Sequence, residues 1–330
     1  MSSNFDAAAD PSPVARHSSP SRVEVAAAVV LREDGTFLLG QRPAGKPYGG
    51  YWEFPGGKVE ADETPLAALT RELHEELGIE VKSAHPWLTR DYDYAHAAVR
   101  LRFFRVMRWS GELHGRENQR FVWQSPAAVD VGPLLPANAP ILRALRLPPV
   151  YGITNAAALG RTELLRRLQR ALDRGLKLLQ VREKSLAPDE LRGLAAEVVR
   201  LAHASGARVL VNADAALAQR VGADGVHLTA AQLARIGARP ELELVGASCH
   251  DAEELARAAA LGVDLVVLGP VLPTPSHPEA RGMGWKRFAA MVRDYPLPVY
   301  ALGGLNPPDL ETAWRSGAHG ISMMRAAWAA

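Results

Sequence analysis

The sequence predicts an α/β protein of two domains, the second of them a (β/α)8 barrel. Three observations predict it. Between Val150 and Met324, eight short apolar runs (VYGIT, LKLLQVR, RVLVN, GVHL, LELVGAS, DLVVLGP, PVYALGG and GISMM) alternate with Ala-, Leu- and Arg-rich helical stretches. Strands and helices alternating at that length close most simply into a parallel barrel. Before Val150 the rhythm differs: longer apolar runs flank one helix in which Leu66, Leu69, Leu73 and Leu77 recur at helical spacing. Between the two lies Arg146-Leu147-Pro148-Pro149, which reads as a linker because paired prolines cannot continue a helix.

At 330 residues the chain is long enough for both. The boundaries expected are a tail over 1–21, a first domain over 22–147 and the barrel over 148–330. The tail is rich in Ser, Ala and Pro, lacks the apolar centre of a signal peptide, and is expected to be disordered. A net charge of only +2 argues against bulk electrostatic binding to nucleic acid or a membrane surface. The one cysteine, Cys249, rules out an intrachain disulfide framework and suits a reducing cytoplasm. No apolar run approaches the ~20 residues of a membrane span.

In order along the chain, Val23–Leu31 reads as a buried strand, Glu33-Asp34-Gly35 as a turn, and Thr36–Gly40 as a second strand leading to Arg42. Gly49–Gly57 holds four glycines, which let main-chain carbonyls approach a metal or phosphate. Lys58 follows it, placed either to meet a phosphate or to lie in solvent. Thr64 then caps a helix with Pro65 in its first turn, and Gly78 ends it. Glu72, Glu75 and Glu76 are spaced i, i+3 and i+4, so three carboxylates crowd one face beside the leucine stripe. Like charges so placed repel, and a hard divalent cation, Mg2+ or Mn2+, would relieve them through oxygen ligands. Glu63 and Arg71 are expected to pair and orient the helix. Tyr92–Arg108 reads as one strand, Phe121–Trp123 as another, and Ile141–Leu147 as a last helix.

The spacing of Gly57, Glu63, Arg71-Glu72-Leu73, Glu75-Glu76 and Gly78-Ile79 resembles the Nudix box at every fixed position. The resemblance implies a Nudix α/β/α sandwich with a mixed sheet, and an Mg2+-dependent hydrolase of phosphoric anhydrides. It assigns metal binding to Glu72, Glu75, Glu76 and the Gly56 carbonyl. Glu63 and Arg71 join the catalytic set, and Phe54 and Lys58 the substrate contacts. Further resemblance to the MutT type implies that Arg42 reaches the nucleotide. It makes Glu117 a further metal and catalytic carboxylate and has Asn138, in Pro136-Ala137-Asn138-Ala139-Pro140, read an oxidised guanine edge. From the residues alone Asn138 is an N-cap, Arg42 a surface charge and Glu117 a solvated loop residue. The stretch Tyr94–Ala98 departs from the type by lacking a charged pair. The substrate so implied is 8-oxo-dGTP or a related nucleotide, the process nucleotide-pool sanitation.

The second half resembles the thiamine phosphate synthase and TenI family through Gln180-Val181-Arg182-Glu183-Lys184, Val211-Asn212, Gly246–His250, Gly269–Ser276 and Leu302-Gly303-Gly304. The resemblance implies that Gln180, Arg182, Lys184 and Asn212 face a pyrophosphate. Thr274, Ser276, Gly303 and Gly304 would cradle a phosphate, and His250 matches a tautomerase histidine. A buried ion pair is the structural alternative for Arg182 and Lys184. Two acidic metal positions of the synthase are here Ala213 and Gln232, so a phosphorylated small molecule is expected to bind without synthase chemistry. A second reading places the whole chain in thiamine metabolism. Its Nudix half would then hydrolyse thiamine or pyrimidine pyrophosphate analogues, and the barrel would be a synthase, a tautomerase or a ligand-binding module.

Overall fold

A computed structural model describes residues 22–115, 119–274 and 281–329. Glu117 and Ser276, and the tail over 1–21, lie outside the described residues.

The N-terminal half is built on β1 (Val23–Val30), an apolar strand whose two faces are both covered. It pairs antiparallel with β4 (Gly56–Lys58) and parallel with β6 (Ala97–Ser110), and β6 pairs antiparallel with β5 (Glu80–Tyr94). The mixed sheet therefore runs β4-β1-β6-β5. A smaller antiparallel sheet, β3-β2-β7, joins β2 (Phe37–Gln41) to β3 (Trp52–Glu53) and β7 (Phe121–Gln124). Alternation along β1 divides the core. Ala26, Ala28 and Val30 pack under α1 (Pro65–Leu77), while Ala27 and Val29 face Phe37, Leu39, Trp52 and Ile141 of α2 (Ala139–Leu145). This is the expected α/β/α sandwich.

Two expectations need correction. Tyr92–Arg108 is not one strand: it spans the end of β5, a turn at Ala95-His96, and most of β6. The turn lacks Gly, Asn or Pro, and Pro86 with three register shifts blurs the alternation along β5. In α1 the buried residues are Ala68, Leu69, Leu73 and Leu77, whereas Leu66, in the first turn, is 44% exposed.

All eight barrel strands form where the apolar runs predict: β8 (Val150–Ile153), β9 (Leu178–Val181), β10 (Arg208–Asn212), β11 (Gly225–Leu228), β12 (Leu244–Cys249), β13 (Leu265–Leu268), β14 (Val299–Leu302) and β15 (Gly320–Met323). They pair in parallel and close as β10-β11-β12-β13-β14-β15-β8-β9. Residues 146–149 are not a free linker. Leu147 is 7% exposed and packs with Tyr151, Leu178, Leu210 and Tyr300 inside the barrel. The Pro148 carbonyl accepts from the Tyr300 hydroxyl at 2.5 Å.

The two halves meet through β5 and β6. Trp87, Thr89, Arg90, Arg102 and Arg105 contact Arg293–Pro296 and Ala318–His319, which immediately precede β14 and β15. The barrel thus presents the amino ends of its strands to the N-terminal half, leaving the carboxyl ends, where barrel chemistry lies, on the far side.

Candidate active site

The first candidate site is built by α1 and β4. Thr64 accepts from the Ala67 N–H, Pro65 enters the first turn, and Gly78 ends the helix in the left-handed region. Burial of Leu69, Leu73 and Leu77 fixes the rotation of α1, and Glu72 and Glu76 turn toward β4. Glu72 lies directly on Gly57: a Cβ there would sit 2.1 Å from the Glu72 carboxyl carbon. Only glycine allows this helix carboxylate to reach the strand.

Arg71 organises the carboxylates. It donates to Glu63 at 2.7 Å, to Glu72 at 2.9 Å, to Glu75 at 3.5 Å and to the Lys58 carbonyl at 3.1 Å. The Arg71 hydrogen bond holds the Glu63 carboxyl below its usual range. Glu76 behaves oppositely. Burial, then the neighbouring Glu72 and Glu53 carboxylates, push it up to about 7, against the pull of the Gly56 N–H. Glu53, on β3, is also raised by burial, while Arg42 at 2.5 Å opposes the rise. The sequence reading did not single out Glu53. Its signal was a lone charge between two large apolar residues, Trp52 and Phe54.

Donor chemistry at this site fits a hard divalent cation: carboxylates crowd beside the Gly56-Gly57 main chain, and their mutual repulsion is what a cation relieves. Among the described residues, however, no three His, Cys, Asp or Glu side chains stand close enough to hold an ion alone. Glu75 is 58% exposed and leans toward Arg71. Glu72 and Glu76 would therefore hold Mg2+ with help from the substrate's phosphate oxygens, as is usual for this ion.

The substrate candidates separate. Arg42 donates to Glu53 and to the Pro47 carbonyl, so it braces the 43–50 loop over the cleft. Phe54 is 4% exposed and packs on Phe37 and Phe103. It belongs to the core, because Trp52 and Phe54 share the buried side of the chain while Glu53 faces the cleft. Lys58 is exposed. Asn138 stands at the N-cap position of α2, but its side chain makes no capping hydrogen bond; its amide makes a long 3.4 Å hydrogen bond to the Trp52 carbonyl.

The second candidate site is a cavity of about 550 Å3 at the carboxyl ends of the barrel strands. Gln180, Arg182, Lys184, His250, Thr274, Gly303 and Gly304 line it, and no Asp or Glu does among the described residues. Asn212 is not part of that lining. Neither Arg182 nor Lys184 forms an ion pair among the described residues; the intervening Glu183 accepts from the Ala156 N–H. At Gly304 a Cβ would lie 2.5 Å from the Pro273 carbonyl, so only glycine brings the two loops together. Gln180 is buried and donates to the Tyr151 hydroxyl, which meets His227; the other ring nitrogen of His227 meets Ser248. His250 stands at the rim, 2.9 Å from Glu254. The Gln232 amide donates to the carbonyl of Ala213, itself held at φ 64.

Fold and site thus define a Nudix hydrolase domain joined to a thiamine phosphate synthase-like barrel. Residues 21–145 match the NUDIX domain family and residues 150–327 the thiamine monophosphate synthase family, and the chain belongs to both. The putative thiamine-phosphate synthase of Geobacter sulfurreducens is 36% identical over 181 residues, 54% of this chain and 85% of that protein. The 8-oxo-dGTP diphosphatase of Haemophilus influenzae is 40% identical over 123 residues, 37% of this chain and 90% of that protein. The CTP pyrophosphohydrolase of Escherichia coli is 43% identical over 122 residues, again 37% and 90%.

Proposed function

We propose that the chain is a Mg2+-dependent nucleoside triphosphate pyrophosphohydrolase acting on 8-oxo-dGTP, with a barrel that binds a phosphorylated small molecule and has lost synthase activity. The observation that supports the first part is the meeting of Glu72 and Glu76 at Gly56-Gly57; Asn138, whose amide reaches the Trp52 carbonyl, would read the base. Bound Mg2+ would supply charge neutralisation of the polyphosphate and acidify the attacking water. Arg71 holds the Glu72 carboxylate in place. Glu76, raised by burial and by the neighbouring Glu72 and Glu53 carboxylates, is one candidate to take the proton from water, beside Glu72 and Glu117. Attack at the β phosphorus breaks its bond to the α-bridging oxygen and releases nucleoside monophosphate and pyrophosphate.

For the barrel, a lining that holds Arg182 and Lys184 and, among the described residues, no carboxylate suits a phosphate ester, while Ala213 and Gln232 supply no anionic metal ligand. Pyrophosphate release by the full chain from 8-oxo-dGTP, dGTP and CTP, and orthophosphate release from thiamine diphosphate, with and without Mg2+, test the hydrolase. Preference for thiamine diphosphate refutes the nucleotide reading, and Glu72→Gln is the inactive control. Thiamine phosphate formed from its two precursors above the level of an Arg182→Ala variant refutes the loss of synthase activity.

A further inference from the structure

The segment that joins the two halves is part of the barrel's own core. Leu147 packs in one layer with Tyr151, Leu178, Leu210 and Tyr300. The Pro148 carbonyl accepts from the Tyr300 hydroxyl, and the Leu147 carbonyl from His319 Nε2 at 2.9 Å. The Arg208 guanidinium donates to the Arg146 carbonyl at 2.7 Å. Three consecutive carbonyls of the connection are therefore bonded to barrel side chains, where a free hinge would leave them to water. On its other side the connection continues α2. The Arg146 and Leu147 N–H groups donate to the Arg143 and Ala144 carbonyls, and α2 starts from Asn138.

A column of buried side chains leads from this layer to the barrel cavity. Gln180, His227 and Ser248 line the cavity, whereas Tyr151 does not and is fully buried. Gln180 donates to the Tyr151 hydroxyl at 3.2 Å. An amide N–H only donates, so the hydroxyl proton goes to His227 Nδ1 at 3.2 Å, and Nε2 donates to Ser248 Oγ at 3.0 Å. The Ser248 proton is left for an acceptor in the cavity, such as a phosphate oxygen. In the other direction the Tyr151 ring meets Tyr300 at 5.6 Å, and Tyr300 meets His319 at 5.1 Å. All these rings are buried, and a close-packed interior passes a displacement on rather than absorbing it.

We propose that the barrel is a regulatory domain for the Nudix half: a phosphate ester bound among Arg182, Lys184 and Ser248 tightens the column through Tyr151 and Tyr300, and with it the Leu147-Pro148 connection, α2 and Asn138. An effector that orders α2 lowers the cost of ordering Asn138 against the nucleotide, so nucleotide KM falls. The box carboxylates lie on α1, outside the column, so kcat stays nearly unaltered. The inference rests on the nucleotide reading above for its kinetic arm alone.

The probe is inorganic phosphate, added to the full chain with Mg2+ at a concentration that saturates the barrel in calorimetry. Amide hydrogen exchange over 139–147 is expected to slow about threefold or more. The KM for dGTP is expected to fall about fivefold relative to Arg182→Met treated alike, in which phosphate can only compete at the Nudix site and raise KM. Tyr300→Phe, which keeps the ring and removes the hydroxyl held by Pro148, reduces both effects at wild-type basal activity. Phosphate that does not bind, exchange or relative KM that does not move, or effects undiminished in Tyr300→Phe overturn the proposal. If the wild-type chain hydrolyses no dGTP, the nucleotide reading fails and exchange decides alone. Slowing that Arg182→Met abolishes then upholds the coupling, and its absence overturns it.

Discussion

The guanidinium of Arg105, on β6 of the Nudix half, donates at 2.8 Å to the main-chain carbonyl of His319 at the foot of the barrel. Its other terminal nitrogen meets the Ala318 carbonyl at 2.6 Å, and Trp87 and Trp314 flank it at 5.4 Å. Arg105 is enclosed and faces carbonyl dipoles, and among the described residues it meets no carboxylate and its Nε has no partner. The His319 ring completes the joint. Trp87 donates to Nδ1, so the proton resides on Nε2, which donates to the Leu147 carbonyl.

Removing the Arg105 side chain leaves the Ala318 carbonyl without its donor, leaves the His319 carbonyl with the Trp314 N–H alone, and opens a void between two indoles. Arg105→Ala is expected to lower stability by about 2–4 kcal/mol. In urea, separate transitions for the two halves should replace a shared one. A shared transition with an unmoved midpoint would show that the joint contributes nothing. By the same reasoning an isolated Nudix fragment exposes Trp87 and Arg105, so the full chain is the proper subject for activity measurements.

Acid should weaken the molecule at two buried histidines. His319 and His227 are each held down to about 3 by burial, with Arg105 and Arg182 adding to the effect. Both are neutral when folded and protonate freely when unfolded, so the unfolded chain binds more protons below its ordinary value near 6.5. Stability is whole above that value and falls toward the folded one, by ~2 kcal/mol per histidine at about pH 5. Thermal melts across this range should show the fall, and His319→Gln should flatten it by about half.

Gly57→Ala places a methyl group where the Glu72 carboxyl lies. The strand can survive this, but the carboxylate must move by an ångström or more. The expected result is a fall of about 100-fold in kcat with circular dichroism unchanged. Activity near wild type would mean that Glu72 need not touch β4.

In the barrel, Arg182 and Lys184 face the cavity with no ion-pair partner among the described residues. Inorganic pyrophosphate should bind the full chain in the absence of Mg2+. Arg182→Met and Lys184→Met should each weaken it about tenfold in calorimetry, with Glu72→Gln in the background to remove the Nudix site. Binding that requires Mg2+ would point to metal ligands outside Ala213 and Gln232.

The sequence by itself determined the local decisions, each set by a few neighbouring residues. Thr64-Pro65 and Gly78 bound α1, the eight apolar runs became the eight barrel strands, and Glu63 and Arg71 came to face one another because a helix and its entry loop leave little choice. Decisions that depend on distant partners were illegible. Whether Phe54 packed in the core hung on Phe37 and Phe103, and whether Leu66 was covered hung on what packs against the first turn of α1. Only tertiary structure brought Glu53 to Glu76, Tyr48 to Tyr94, and Arg105 to His319. Such contacts join residues far apart in the chain, and period and spacing describe only what each segment does with its own backbone.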